Sequence, residues 1–511
     1  MLAVSQGWKE AHTNMLLPET FIEINYNISE PGLQEDAQFS TTDATSFSEL
    51  PMSMDEGDKH SRLEWNAWGL DGSFSAVEGS PSFPGYVTET LADASALFPA
   101  LPTVEVRFDS VRTALIPGIT ICWSNTFDEW ASSFRITVYN GANVVTQTLV
   151  EHNTQVLSPV WLEFSQFDRV QIEVLEWCLP HRRSRTMYVF IGITATYTKQ
   201  DLLGFTHTKD VDLLSAALSK SEITFNLDNS QDIWDPTNPT GSERYLMERQ
   251  KVTLRYGMLV DGRTEWIDAG TFWLSEWNTP SNGIEASFTA RDAIQFMDDL
   301  YTGPKSGNLH ALAISALNQV NLDGEPLQYV IHDSLQAIPT DFSSFEGDYT
   351  VSELLQMIAH AGCCVFYCDT AGVVHIEPRA DHLTDYEINA HVSYTYPEIS
   401  LSKPLKAVRV DYGEVSHTVS VAAAGETQTV SNELIQRQED AVCVANSAIA
   451  VLKNRKTISG EYRADPRVEP MDIITVHNKY SSSKVAITSL SFQTSGGALR
   501  GQYTGRVIDD G

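Results

Sequence analysis

The stretch SGEYRADPRVEPMDIITVHNKY, residues 459–480, brings Arg463, Asp465, Arg467, Glu469 and Asp472 together within ten positions. Carboxylates crowded beside guanidinium groups are the raw material of acid–base catalysis and of cation binding. The surrounding text argues for a turn instead. ISGEYRA alternates as a strand, Pro466 and Pro470 cannot donate to a β-ladder, and IITV begins a second strand. Asp465 before Pro466 favours turn initiation, and Asp472 is placed to accept backbone N–H groups at the start of the next strand. No histidine or cysteine joins the group before His477.

The chain has no Gly-x-Ser-x-Gly elbow, His-Glu-x-x-His helix or Gly-x-x-x-x-Gly-Lys loop. A glycosidase needs two carboxylates about 5 to 10 Å apart. Asp128 with Glu129 and Glu173 with Glu176 are candidates, each more simply explained as surface charge at a strand end or loop. His181, Arg182 and Arg183 form a basic loop expected to be solvated, with an anion contact as the alternative. SQDIWDPTNPTGS, residues 230–242, has the Asp and Asn content of a calcium loop but not its twelve-residue register ending in Glu. It is expected to be a structured loop presenting Trp234 to a partner. CCVFYC lacks the second cysteine or histidine pair of a zinc site. The thiols of Cys363 and Cys364, in an apolar strand-like run, are expected to be buried and the folding compartment reducing. No metal ligand set, catalytic residue or cofactor motif emerges.

Trp123, Trp130, Tyr139, Trp161 and Trp177 lie in one strand-rich segment. Aromatic rings stack on the apolar faces of sugars. Trp161 and Trp177, carried on strands, are expected in the core. Trp130, in NTFDEWASS, is the better candidate for carbohydrate binding, followed by Trp123 and Tyr139.

The elements that must position these residues are mostly strands. A chain of 511 residues, 42% hydrophobic and 20% charged, has the composition of a multidomain globular protein. Its net charge of −33 argues against a surface that grips phosphates. It suits solubility, or a wall that polyanions pass without sticking. No run of about twenty apolar residues marks a membrane anchor, and the N-terminus lacks the pattern of a secretion signal.

All eleven tryptophans fall between Trp8 and Trp277, so the two halves are expected to be different modules. Residues 86–204 carry TVEVRF, GITICWS, SFRITVYNG, NVVTQTLV and RVQIEVLEW at the spacing of an antiparallel β-sandwich. The segment appears within a β-domain formed by residues 1–85 and 205–304, with turns at Asp71-Gly72 and Asp261-Gly262. Residues 305–388 form a small α+β unit. There TVSELLQMIAHAG has Thr350 as N-cap and Gly362 as stop, and CCVFYCDTAGVVHIEPR makes a hairpin. Residues 389–511 return to β around a helix expected over 431–456, ending in strands joined at Gly496-Gly497. The fold class is therefore mainly β with α+β parts.

In this order the motifs become a pattern. GEYRADPRVEPMDIITV, preceded by a helix and followed by KVAITSLSFQTSGGALRG, resembles the C-terminal part of bacteriophage tail hub proteins, also called baseplate hub or tail-associated proteins. RLEWNAWGLDGSF, EITFNLDN, WIDAGTFWL and FTARDAIQFMDD resemble their N-terminal hub domain, and TVSELLQMIAHAGCCVFYCDTAGVVHIEP their middle module. The resemblance covers residues 20–80 and 205–511.

The resemblance implies a homotrimer whose two β-barrel-like hub domains alternate around a ring at the distal end of the tail. Its partners would be the distal tail protein or tail tube, the tape-measure protein, and tail fibres or a spike. DNA would pass through without being specifically bound, and the acidic balance fits such a channel. The chain would be made in the host cytoplasm and reside in the virion. Trp234, Arg463 and Asp465 then become candidates for subunit or partner contacts. The chain departs from the family in its sandwich insertion, which resembles carbohydrate-binding sandwiches at phage tail tips and implies contact with a host cell-surface glycan. No peptidase or lysozyme-like extension is expected after the hub, which puts a cell-wall-degrading role in doubt. Two other readings remain open: an adhesin whose main role is polysaccharide recognition, and a glycan-degrading enzyme.

Overall fold

The structure, a computed structural model, describes residues 1–13, 19–52, 59–76, 84–260, 262–280, 283–322, 327–344, 347–380, 382–495 and 498–510. Asp261, Gly496, Gly497 and most of the GSPSFPG break lie outside the described residues; Gly72 and Gly262 are described, with φ of +85° and +80°. The fold is mostly β, with several sheets and α-helices at Gln6–Thr13, Leu309–Leu317, Val351–Ala361 and Gln438–Leu452. It divides into two compact units, Met1–Asn25 with Thr196–Arg244 and Lys251–Gly511, and Tyr26–Ala195 with Tyr245–Gln250.

The first unit is organised by a long sheet. Leu202–Asp210 and Lys220–Asp228 alternate buried and partly buried positions, so Phe205, His207, Ile223, Phe225 and Leu227 share the inward face. Lys220–Asp228 continues the sheet through Glu285–Arg291, Arg263–Asn278 and Lys251–Val260. On its other side, Leu202–Asp210 pairs antiparallel with Ser482–Ser495, from Thr206 opposite Gln493 to Asp210 opposite Ser489. Ser482–Ser495 then pairs with Ala498–Asp510, followed by Lys456–Arg463 and Glu398–Leu401. The two β-regions that the sequence separates into different domains are thus joined edge to edge in one hydrogen-bonded sheet.

Helix Val351–Ala361 begins as its sequence dictates. The Glu353 N–H donates to Thr350 Oγ1 at 3.2 Å, and the Thr350 N–H donates back to Glu353 Oε2 at 2.9 Å. Such a capping box contributes about 1 kcal/mol. Gly362 follows where a Cβ would fall 2.1 Å from a Leu335 methyl, and the hairpin Cys364–Cys368 with Val374–Pro378 comes next. These elements share a core with Leu309–Leu317 and Gln438–Leu452.

That last helix is shorter than the expected 431–456. Residues Glu426–Ser431 pair in parallel with Leu405–Tyr412, and Asn432 then closes a turn: its Oδ1 accepts the Leu434 N–H at 3.0 Å and its Nδ2 donates to the Met357 carbonyl at 2.8 Å. The side chain offers the backbone a local alternative to helical bonding, which delays the helix to Gln438.

The second unit contains a five-stranded antiparallel sheet in the order Gln38–Thr41, Thr103–Arg112, Phe167–Trp177, Ala131–Asn140, Asn143–Val150. A three-stranded antiparallel sheet runs Tyr188–Phe190, Ile116–Cys122, Leu157–Phe164. Their inward residues, among them Val104, Ile119, Trp123, Phe134, Ile172 and Trp177, form one hydrophobic cluster. Gln38–Thr41, assigned from sequence to the first hub segment, is an edge strand here because it pairs with Thr103–Arg112.

Candidate functional site

The 463–472 cluster is a turn held by buried ion pairs. Asp465 has no exposed surface, and Arg467 grips it through Nε at 2.9 Å and Nη2 at 2.5 Å. The Arg467 N–H also donates to Asp465 Oδ1 at 3.1 Å, which closes the turn around Pro466. Burial works against the charged form of Arg467, but hydrogen bonds and charge from Asp465 hold its pKa up. His12 lies 3.6 Å from Asp465 and bonds the Ala464 carbonyl at 3.1 Å; burial outweighs Asp465 and lowers its pKa, favouring neutral imidazole.

The other two carboxylates are also engaged. Lys209 Nζ lies 2.8 Å from Glu469 Oε1, while burial still raises the pKa of Glu469. Asp472 accepts the Glu469 N–H at 2.8 Å and pairs with the Met1 ammonium at 2.6 Å. Glu469, Lys209 and Asp472 border a cavity of about 280 Å³, together with Cys368 and Asp292. Asp292 accepts N–H groups from Ser221 at 2.5 Å and Ile294 at 3.2 Å, and burial pushes its pKa up to about 7. Among the described residues, no group of three or more His, Cys, Asp or Glu side chains is placed to hold a metal ion.

A second charged cluster, in the other unit, was not anticipated from sequence. The side chains of Arg182, Arg185, Glu64 and Glu129 are each 2% exposed or less. Arg182 pairs with Glu129, and Arg185 with Glu64; Arg185 Nη1 also lies 3.6 Å from Glu129. The Trp177 indole N–H donates to Glu129 Oε2 at 2.9 Å, and the Arg183 N–H to Glu64 Oε2 at 2.9 Å. The Phe127 ring sits 4.8 to 5.1 Å from the guanidinium carbons of Arg185, Arg62 and Arg182. Burial pushes the Glu64 pKa up, but Arg185, the Arg183 N–H and Arg182 together leave it lowered.

Arg182 therefore corrects the expectation of a solvated basic loop: two buried carboxylates neutralise two buried guanidiniums. The available signal was the pattern HRRSR combined with Glu64 and Glu129, but their sequence separation hides the pairing. Glu129 is thus an ion-pair partner, Glu173 pairs with Arg135 at 2.7 Å, and Asp128 and Glu176 are exposed.

This buried network anchors the RLEWNAWGLDGS loop. Arg182 Nη1 donates to the Trp65 carbonyl at 2.8 Å and Glu64 points inward, leaving Leu63, Trp65, Trp68 and Leu70 outward and exposed.

The predicted aromatic residues fall in different environments. Trp123 is fully buried, edge-on to Phe134 and Trp177, with its indole N–H on Ser158 Oγ at 3.0 Å. No ring face is left for a sugar. Trp130 is half-buried against the same core, and Tyr139 is half-buried with Arg169 3.9 Å from its ring centre. Trp177 is in the core as expected, but Trp161 is 57% exposed. Strand Leu157–Phe164 turns Val160, Leu162 and Phe164 inward, so its alternation puts Trp161 outside.

Trp234 is buried edge-on against Phe288, not presented to solvent. In its loop, Asn229, Asp235 and Asn238 accept the N–H groups of Trp234, Thr237 and Thr240 at 2.7 to 3.0 Å. The calcium-like composition serves local turns. Arg463 is half-buried, its guanidinium donating to the His12 carbonyl.

No protein-family model matches the chain, and no curated protein matches it. Among solved structures, it is similar to the 43 kDa tail protein of prophage MuSo2 from Shewanella oneidensis, with 12% identity, 61% of this chain and 94% of that chain covered, and a TM-score of 0.41. It is similar to the tail protein from Neisseria meningitidis MC58, with 10% identity, coverage of 62% and 94%, and a TM-score of 0.42. It is also similar to prophage tail protein gp18 from Listeria monocytogenes EGD-e, with 11% identity, coverage of 61% and 91%, and a TM-score of 0.41. All three structural neighbours are tail proteins, two of them from prophages.

Proposed function

We propose that this chain is a non-enzymatic structural protein of a phage tail, acting as a homotrimeric hub at its distal end. The observation that carries this reading is the disposition of charge and apolar surface. Asp465, Arg467, Glu64, Glu129, Arg182 and Arg185, the side chains nearest to catalytic chemistry, are buried and paired with one another. Trp65 and Trp68, by contrast, point outward from an anchored loop, as an assembly contact requires. The edge-to-edge joining of the two β-regions supports the reading, because a ring subunit must present both in fixed register. The ring would line the DNA channel, contact the tail tube or distal tail protein and the tape-measure protein, and carry fibres or a spike. Its net charge of −33 fits passage of DNA without binding.

A second reading, host polysaccharide recognition by the Trp-rich unit, is favoured by the outward ring of Trp161, with Trp130 and Tyr139 as the other candidate contacts. Imaging of the tail tip tests the hub reading, and a glycan array tests the second. Three copies in a ring support the hub; one or two copies per tail would sink it. Glycan-array binding by the full chain, abolished by Trp161→Ala or Trp130→Ala, supports recognition, and an array without signal removes it.

A further inference from the structure

Cys363 and Cys443 are 80 residues apart in sequence, yet their Sγ atoms lie 3.3 Å apart. Cys363 directly follows Gly362, the cap of helix Val351–Ala361, and holds a φ of +55°. A left-handed backbone is unfavourable for a side chain with a Cβ, and glycine or asparagine occupies such positions more readily. Its neighbour Cys364 is buried, with its thiol donating to the Gly362 carbonyl at 3.4 Å. The turn thus directs Cys363 toward helix Gln438–Leu452, where Cys443 is exposed. One thiol is half-buried and the other open to solvent, in mutual contact.

We infer that Cys363 and Cys443 form an oxidisable dithiol that closes into a disulfide on meeting a small-molecule disulfide such as oxidised glutathione. The exposed Cys443 thiolate attacks one sulfur of the oxidant, releasing one glutathione thiolate and leaving a mixed disulfide. Cys363 then loses its proton to solvent and attacks the Cys443 sulfur, and the second glutathione leaves as thiolate. Two protein thiols are oxidised and one glutathione disulfide is reduced to two thiols. Burial raises the pKa of Cys363, which suits the order: Cys443 enters and Cys363 resolves. The sulfurs need only close to a bond of about 2.0 Å.

The bond would tie the α+β region to the helix of the C-terminal region and close a loop of 80 residues. Closing a long loop restricts the unfolded chain most strongly. The chemistry stands on the thiol geometry alone. That the chain meets an oxidant on leaving a reducing compartment rests on the tail-protein reading. Failure of the trimer test would leave the dithiol result standing, and the reverse also holds.

The test uses the purified full-length chain, fully reduced, in glutathione buffers of rising oxidised-to-reduced ratio. Samples are trapped by alkylation and examined by intact mass, peptide mapping and thermal unfolding. The expected result is loss of two of the six alkylatable thiols, a cross-linked peptide pair containing Cys363 and Cys443, and a midpoint raised by several degrees. Cys443→Ser, at an exposed position, should abolish all three changes while leaving the reduced midpoint unaltered. Six alkylatable thiols in the most oxidising buffer would overturn the inference. So would a stable glutathione adduct on Cys443 or a cross-link between other cysteines.

Discussion

Arg467 holds Asp465 in a bidentate ion pair across a single intervening residue, Pro466. Both side chains are buried, so the charges have no water to fall back on. Breaking such a pair by removing one member costs about 3 to 5 kcal/mol, mostly from the charge left behind. Asp465→Ala should therefore destabilise the chain by that amount in chemical denaturation. Asp465→Leu combined with Arg467→Met should recover most of the loss. A single variant as stable as the parent would mean that the pair is not buried in solution.

Glu64 anchors the Trp65–Trp68 loop from within. Glu64→Gln keeps its shape but leaves Arg185 short of its counter-charge, and should cost about 3 kcal/mol. The same variant should expose residues 59–76 to protease at concentrations that leave the parent intact. Unchanged cleavage would show that the loop is held by other contacts.

Asp292 introduces a pH dependence opposite to that of a salt-bridged carboxylate. Its folded pKa of about 7 lies above the ordinary 3.8, so the folded state favours the protonated acid. Between those values the unfolded chain ionises while the folded one keeps its proton. Stability contributed by Asp292 is therefore full below about pH 4 and declines as pH rises to about 7. Subtracting the unfolding free energy of Asp292→Asn from that of the parent should give a difference that falls across this window and is flat outside it. A flat difference throughout would contradict the raised pKa.

Trp123 and Trp161 should respond oppositely to truncation. Trp123→Ala leaves a cavity in the core and should cost about 3 to 5 kcal/mol. Trp161→Ala removes an outward ring and should shift stability by less than about 0.5 kcal/mol. Melting of the two variants side by side provides the comparison.

Local chemistry made parts of this fold legible. Thr350 and Gly362 announce a helix and its ends because capping depends on residues only a few positions apart. The strand alternation of LSPVWLEF even contained the answer for Trp161, since Val160, Leu162 and Phe164 share the opposite parity. The Asp465 turn was legible for the same local reason. Long-range pairing was not. Glu64 and Arg185 are 121 residues apart, and either alone resembles solvated charge. The pairing of Gln38–Thr41 with Thr103–Arg112 was likewise hidden, because register leaves no mark within four residues.

The seam between Thr206–Asp210 and Ser489–Gln493 has a mechanical consequence. Its inter-strand hydrogen bonds lie across the strand direction, so tension applied along the strands shears them together instead of unzipping them one by one. Pulled that way, the bonds of the seam share the load, and the two β-regions are loaded together.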